Sequence, residues 1–306
     1  MSRVLVTGAT GFVGALAVEH LRASSHDVHA LSSRHVPDQA GVRWHRANLL
    51  DPDAAHEVVR VVRPELLLHL AWYVEHGKYW DSPENLRWLE ATTRLLRAFA
   101  AGGGRRATLA GTCAEYDWQA GGMCSEATTP LRPATLYGAA KHATQVVASA
   151  FAATAGFTLA WGRIFFLYGP GEASTRLVPS VARALLQGEE VAATAGTQVR
   201  DFMHVDDVAR AFVALLDSDV AGAVNIASGE PVELREVMGL IGATAGHPEL
   251  IRLGALSQRP GDPTTLVADV RRLRDDVGFA PGLELAEGVR QTVEWWRSRS
   301  AGPGPS

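Results

Sequence analysis

The sequence predicts an α/β protein with a doubly wound parallel sheet and a smaller C-terminal α/β lobe. Three observations carry this. Apolar, strand-like runs alternate with helical stretches through the first half of the chain, the pattern of a parallel sheet covered by helices on both faces. A glycine-rich join, "VTGATGFVG", lies between the first such run and the first helical stretch. Beyond Gly169 the alternation loosens into turn-rich segments such as "YGPGEAST" and "RPGDPTT" among shorter elements.

Taken in order, "RVLVTG" reads as the first strand and residues 11–23 as the first helix. "DVHALSS" is the next strand, and a polar loop leads from it to the strand "LLLHLAW". A helix then runs through "SPENLRWLEATTRLLRAFAAGG", with Ser82 as N-cap, Pro83 at its first position and the glycines of residues 102–104 as its stop. "RATLAGT" is a strand, a helix follows from about Leu136 to Ala153, and "FTLAWGRIFF" is the strand after it. This assigns residues 1–168 and 198–227 to a dinucleotide-binding domain and 169–197 and 228–300 to a substrate lobe. The tail 301–306, "AGPGPS", has nothing to bury and is expected to be disordered.

Bulk properties narrow the function. With 306 residues, 47% hydrophobic and 20% charged, the chain can bury a large core. A net charge of -4 with no basic run argues against nucleic acid or an anionic membrane surface as partner, which leaves a small ligand. Only Cys113 and Cys124 are present, and the first residues carry no signal-peptide pattern. A cytoplasmic protein with free thiols is expected. No apolar run approaches the roughly 20 residues of a membrane helix, and no metal site is expected.

Gly8, Gly11 and Gly14 stand at three-residue spacing where the first strand meets the first helix. Glycines there allow a tight turn, so that the backbone of Thr10, Phe12 and Val13 at the helix N-terminus can approach a pyrophosphate. A Rossmann-like dinucleotide site is expected. An acidic residue about 20 positions on would bind the ribose hydroxyls of NAD, yet Gly14 plus 20 falls on Arg34, and no carboxylate lies between Asp27 and Asp38. Ser32, Ser33 and Arg34 suit a 2′-phosphate, which favours NADP(H) over NAD(H).

Tyr137 and Lys141 stand four apart in "LYGAAKHAT" and share a helix face. A phenol transfers protons poorly near neutrality, and a neighbouring ammonium lowers its pKa. Thr112, at the end of "RATLAGT", adds a hydroxyl that could hold a substrate oxygen.

"TGATGFVG", Thr112 and "YGAAK" together resemble the extended short-chain dehydrogenase/reductases, the NAD(P)-dependent epimerase/dehydratase group that modifies nucleotide sugars. The resemblance continues through "RIFFLYGPGE", "RDFMHVDDVARA", "VNIASGEPV" and the C-terminal "RPGDPTTLVADVRRL" and "VGFAPGLELAEGVRQTVEWW". It implies that Tyr137 is the acid/base, that Lys141 lowers its pKa and holds the nicotinamide ribose, and that Thr112 orients the reacting oxygen. It places Asn48 and Leu49 near the adenine, the Asn replacing the family's Asp, and Leu70, Ala71 and Trp72 against the cofactor. Arg200 and Arg259 match arginines that hold a substrate pyrophosphate, while Arg176 and Leu177 line the nucleotide pocket. A homodimer on the helices over 84–100 and about 136–153 is also implied, with Trp88, Leu89, Leu95 and Leu96 as its apolar side chains.

The chain also departs from that pattern. Phe166 and Trp88 stand where relatives carry asparagines. Cys113 and Ala114 replace the Asp and Glu with which 4,6-dehydratases eliminate water, and Glu115, one residue late, should point the other way. Cys113 either lines the sugar pocket or is a small buried hydrophobe, the preferred reading. His69 reads as a core histidine. The loop "WYVEHGKYWDS" lies where open α/β sheets bind ligands, which makes Tyr73, Glu75 and His76 candidates for substrate contact. The expected activity is a 4-ketoreductase of an NDP-4-keto-6-deoxyhexose, with an NDP-sugar 4-epimerase as the alternative. A non-catalytic dinucleotide sensor would not need the acid/base set.

Overall fold

The computed structural model describes residues 2–24, 26–258 and 261–300, so Arg259 and the tail 301–306 lie outside the described residues. The first half builds β1 (Arg3–Thr7), α1 (Phe12–Ala23), β2 (Asp27–Ser32), β3 (Val42–Arg46), α2 (Ala54–Val62), β4 (Leu66–His69), α3 (Glu84–Ala101) and β5 (Arg106–Thr112). A short β6 (Met123–Cys124) precedes α4 (Leu136–Ala155), β7 (Thr158–Ile164), β8 (Phe166–Tyr168), α5 (Leu177–Leu186) and β9 (Val191–Ala192). The rest is β10 (Val199–His204), α6 (Val205–Asp217), β11 (Gly222–Ile226), β12 (Pro231–Glu233), α7 (Leu234–Ala245), β13 (Ile251–Arg252), β14 (Thr265–Ala268) and α8 (Leu285–Ser300).

Seven strands pair in parallel in the order β3-β2-β1-β4-β5-β7-β11. Their alternating side chains feed two cores. Val4 and Val6 pack with Val18 and Leu21 of α1 and Phe212 and Leu215 of α6. Leu5 and Leu67 face the other way, onto Val59 of α2, Leu95 and Phe99 of α3 and Ala148 of α4. This is a Rossmann-like sheet covered on both faces. The strand order reverses direction between β1 and β4, and ligands bind outside the carboxyl ends of such neighbours. A second sheet, β12-β10-β14-β6 with β8 beside β10, leads into a smaller core that α5, α7 and α8 build with Tyr168 and Phe202.

Several sequence expectations change here. The polar loop after β2 contains β3 and α2: β3, "VRWHR", is a half-exposed edge strand with no apolar run to announce it. The run "FTLAWGRIFF" is not one strand, because the chain leaves the main sheet at Phe165 and β8 pairs with β10 instead. Leu95 and Leu96 are buried beneath α3, so they belong to the sheet's core and not to a free helix face. Ser32, not Ser33, ends β2. α3 begins at Glu84 with Pro83, not Ser82, as its N-cap residue and no side-chain cap, while the Ser82 hydroxyl accepts from the Glu84 N–H at 3.3 Å. Among the described residues no helix is long and apolar enough to cross a membrane.

Candidate active site

The ends of β2, β1, β4 and β5 lie side by side, so the strand order alone gathers Ser32, the glycine loop, Leu70–Trp72 and Thr112 along one edge. Gly8 takes φ +69°, and a Cβ on it would lie 2.7 Å from the Ala71 nitrogen. A Cβ on Gly14 would come within 2.0 Å of the Gly8 carbonyl oxygen. Both positions therefore require glycine, since the β1–α1 turn is folded against itself and against the chain leaving β4. No side chain caps α1, whose first backbone N–H groups, those of Phe12 and Val13, have no acceptor within the helix. An open helix N-terminus behind a close-packed glycine turn fits the pyrophosphate of a dinucleotide.

At the end of β2 the buried Ser32 Oγ accepts from the Arg34 N–H at 3.1 Å. That turn leaves Ser33 and Arg34 exposed, and the Arg34 guanidinium has no ion pair among the described residues. Asp27 lies at the opposite end of β2 and bonds Arg43 at 3.3 Å. Asn48 closes a local turn, accepting from Leu50 N–H at 3.2 Å and donating to Asp51 at 3.2 Å, while Leu49 is buried.

Tyr137 opens α4, where the Thr135 side chain accepts from the Gly138 N–H at 3.2 Å as N-cap. Its ring is buried, and the Thr112 side chain stands beside its hydroxyl. Burial pushes the phenol up; Tyr79 adds to this and Thr112 opposes it. The sequence-based expectation that Lys141 lowers this pKa is not met in this arrangement. The Lys141 ammonium donates instead to the Ala110 carbonyl at 2.7 Å and lies 3.9 Å from the centroid of the Trp72 ring. Burial pushes Lys141 down to about 7.

Glu115 turns away from this site, but not by strand alternation: Cys113–Glu115 is a 3-10 turn in which Glu115 closes a capping box with Thr112. Its carboxylate is fully buried and accepts from the Thr112 N–H at 2.8 Å, from Trp161 Nε1 at 2.9 Å and from Arg163 Nε at 2.8 Å. It is a structural anchor that fixes the end of β5, and with it the Thr112 hydroxyl.

Sequence reasoning missed the side chains that cover Tyr137. Tyr79 stands edge-on to it with ring centroids 4.8 Å apart, and Trp80 does so at 5.8 Å. Trp118 stands edge-on to Trp80 and donates to the Cys113 carbonyl at 3.0 Å. The buried Asn85 ties this loop to α3, donating to the Tyr79 and Ser82 carbonyls at 2.7 and 2.9 Å and accepting from Trp72 Nε1 at 2.9 Å. The only signal in the sequence was the density of aromatics in "WYVEHGKYW". Tyr73 and Lys78 both bond Glu75 on the exposed side of the loop, and His76 reaches Thr175 at 3.0 Å. His69 is a core histidine between Thr7 at 2.7 Å and Thr92 at 2.9 Å, and burial pushes its pKa down to about 3.

On the lobe side, Arg176 is the N-cap residue of α5, Leu177 its first residue, and the Arg176 guanidinium lies 5.5 Å from the Tyr79 ring centroid. Glu172, also missed, has an Oε2 with no hydrogen-bond partner among the described residues, and burial pushes its carboxyl up to about 8. Arg200 is buried, with Asp262 at 2.8 Å and the Val199 carbonyl at 2.9 Å, and lies 5.5 Å from the Phe166 ring centroid. Cys113 is buried beside Cys124, Phe165 and Leu266, and burial pushes its thiol up. It packs as a small apolar group. A cleft of about 560 Å³ beyond β11, lined by Met123, Val270 and Phe279 among others, includes none of the predicted site residues.

The comparisons with known proteins agree with this geometry. Residues 4–227 match the NAD dependent epimerase/dehydratase family. The UDP-glucose 4-epimerase of Corynebacterium glutamicum is 27% identical over 303 residues, covering 91% of each chain. The GDP-6-deoxy-D-mannose reductase of Pseudomonas aeruginosa is 26% identical over 312 residues, 97% of this chain and 98% of its own. The solved structure of MoeE5 in complex with UDP-glucuronic acid and NAD superposes with a TM-score of 0.83 at 33% identity, over 97% of this chain and 99% of that one. The family match runs from the glycine turn through the Tyr137–Lys141 helix to β11, and the relatives extend the likeness over the C-terminal lobe. The chain belongs to the NAD dependent epimerase/dehydratase family.

Proposed function

We propose that the protein is an NADP(H)-dependent 4-ketoreductase acting on an NDP-4-keto-6-deoxyhexose. The observation that carries the chemistry is the Thr112–Tyr137 hydroxyl pair at the end of β5, one strand from the glycine turn's neighbour β4 and next to Lys141. A bound nicotinamide supplies the hydride. Tyr137 gives its proton to the C4 oxygen as charge develops there, and Thr112 holds the same oxygen in place. The sheet domain takes the dinucleotide, while the lobe of α5, α7 and α8 takes the nucleotide and sugar. Water elimination is disfavoured, because the positions after Thr112 hold Cys113 and Ala114 and the Glu115 carboxylate is committed to Arg163.

The exposed, unpaired Arg34 and the absence of a carboxylate at the end of β2 support NADP(H), a cofactor that is exchanged at each turnover. NADPH is therefore expected to bind more tightly than NADH, and Arg34→Ala to weaken NADPH about tenfold or more, the loss of one charge-assisted contact to phosphate. Fluorescence titration of both cofactors checks this. Tighter NADH binding by the wild type would remove the argument.

A 4-epimerase is the second reading, favoured by the epimerases among the relatives. Mass spectrometry of the protein with a panel of NDP-sugars and NADPH separates the two, since a ketoreductase adds hydrogen to the sugar and an epimerase leaves its mass unchanged.

A homodimer is also proposed, on the outer faces of α3 and α4. Leu86, Val146 and Val147 are 56%, 52% and 49% exposed there, an apolar surface that a second copy would cover. Light scattering should report a dimer at micromolar concentration, and a monomer would count against it.

A further inference from the structure

Lys78 and Lys141 are the only lysines in the chain. Lys78 is exposed and bonds Glu75, whereas Lys141 is 4% exposed. A buried ammonium needs compensation, and an amine without it gives up its proton. Among the titratable groups packed around Lys141, Glu115 favours its charged form, but burial outweighs it. The Glu115 carboxylate is already bonded to the Thr112 N–H, Trp161 and Arg163. His69, on β4, is held neutral between two threonines. Tyr137, on the same helix, is a neutral phenol whose burial disfavours its anion. Two contacts remain, the Ala110 carbonyl at 2.7 Å and the face of the Trp72 ring at 3.9 Å.

That ring is held from three sides. Trp72 Nε1 donates to Asn85 Oδ1 at 2.9 Å, and Asn85 is fully buried with both its amide hydrogens spent on the Tyr79 and Ser82 carbonyls. Trp88 lies against the indole with ring centroids 6.4 Å apart. The residue before it, Ala71, is fixed by the close approach of Gly8. Among the aromatic side chains an indole face attracts an ammonium most strongly, and more so when both are desolvated.

We propose that Trp72 is a positioning residue for Lys141: its ring, clamped by Asn85, keeps the Lys141 amine protonated and in place in the dry cleft beside Tyr137. Trp72 thus adds to the support that Glu115 gives Lys141, without placing a further negative charge next to a phenol that must itself become anionic. The inference concerns Lys141 in the cofactor-free protein. It rests on the proposed function only for the consequence that the acid/base chemistry depends on this charge.

The small number of lysines makes the test direct. Protein with isotope-labelled lysine has two side-chain signals, the exposed Lys78 serving as internal reference. In cofactor-free protein, Trp72→Leu should lower the Lys141 titration midpoint by about half to one pH unit, the size of a partly desolvated cation–π contact. Trp72→Phe, which keeps a ring face with a weaker quadrupole, should lower it less, and Lys78 should not move. The conservative variant also reports if the leucine variant fails to fold. In the same proteins the alkaline limb of kcat/KM against pH, where Lys141 loses its proton, should move down by the same amount. A Lys141 midpoint unchanged in Trp72→Phe and in any folded Trp72→Leu overturns the proposal. If the midpoint moves but Tyr137→Phe proves as active as the wild type, the proposed function fails and the Trp72–Lys141 coupling stands.

Discussion

Replacing Tyr137 by phenylalanine should slow turnover on the order of 10²–10⁴-fold, the cost of losing one positioned general acid, while leaving cofactor affinity nearly unchanged. The substitution is clean because the ring's contacts survive: the edge-on packing against Tyr79 and Trp80 is made by the ring and not by the hydroxyl. What goes is the hydroxyl beside Thr112. Burial raises this phenol, so its anion, left when it gives its proton to the substrate, needs a positive charge close by during the reaction. The Lys141 ammonium, one turn along α4, is the group of this chain placed to provide it. Steady-state rates and cofactor titrations on the two proteins check the prediction. A variant within a few-fold of wild-type turnover would remove Tyr137 from the chemistry.

Glu115→Ala should destabilise the protein by about 3–5 kcal/mol, the range for removing one partner of a buried ion pair. Arg163 and Glu115 are 1% and 0% exposed, and the loss leaves the guanidinium without its counter-ion. It also strips acceptors from the Trp161 indole N–H and the Thr112 N–H, both buried. Arg163 keeps its bond to the Tyr116 hydroxyl at 3.1 Å, a neutral group that does not balance the charge. Urea unfolding measures this directly, and a loss under about 1 kcal/mol, the scale of exposed pairs, would show that the pair is not a structural anchor. Because the same carboxylate fixes the end of β5, any Glu115→Ala protein that remains folded should also turn over more slowly.

The parts of this molecule that were plain in the sequence are those where local chemistry and tertiary role coincide. Gly8 and Gly14 could be named because only glycine tolerates the contacts at 2.7 and 2.0 Å that the β1–α1 turn imposes. Glu115 was expected to leave the site by strand alternation; it does lie in the core beside Arg163, but because Cys113–Glu115 is a 3-10 turn in which it caps back onto Thr112. The polar edge strand β3 was hidden because its half-exposed "VRWHR" carries no apolar run. The change of sheet at Phe165 was hidden because β7 and β8 follow one another as a strand-like stretch with no turn residue between them. Asn85 and Tyr79 were invisible for a different reason. Their importance comes from contacts made across a loop, Asn85 to Trp72 and Tyr79 to Tyr137, and nothing in their neighbours along the chain marks them. Lys141 was found by its spacing from Tyr137, yet the ring that holds it was not.

The most direct measurement is hydride transfer itself, followed with NADPH that carries deuterium at the transferable position of the nicotinamide and an NDP-4-keto-6-deoxyhexose as acceptor. The account predicts that the reduced-nicotinamide absorbance falls in step with product, that the deuterium appears on C4 of the sugar, and that Tyr137→Phe suppresses both. A protein that leaves the absorbance unchanged, puts no label from added cofactor into the sugar and interconverts two 4-hydroxy sugar nucleotides would contradict the ketoreductase and establish the epimerase in its place.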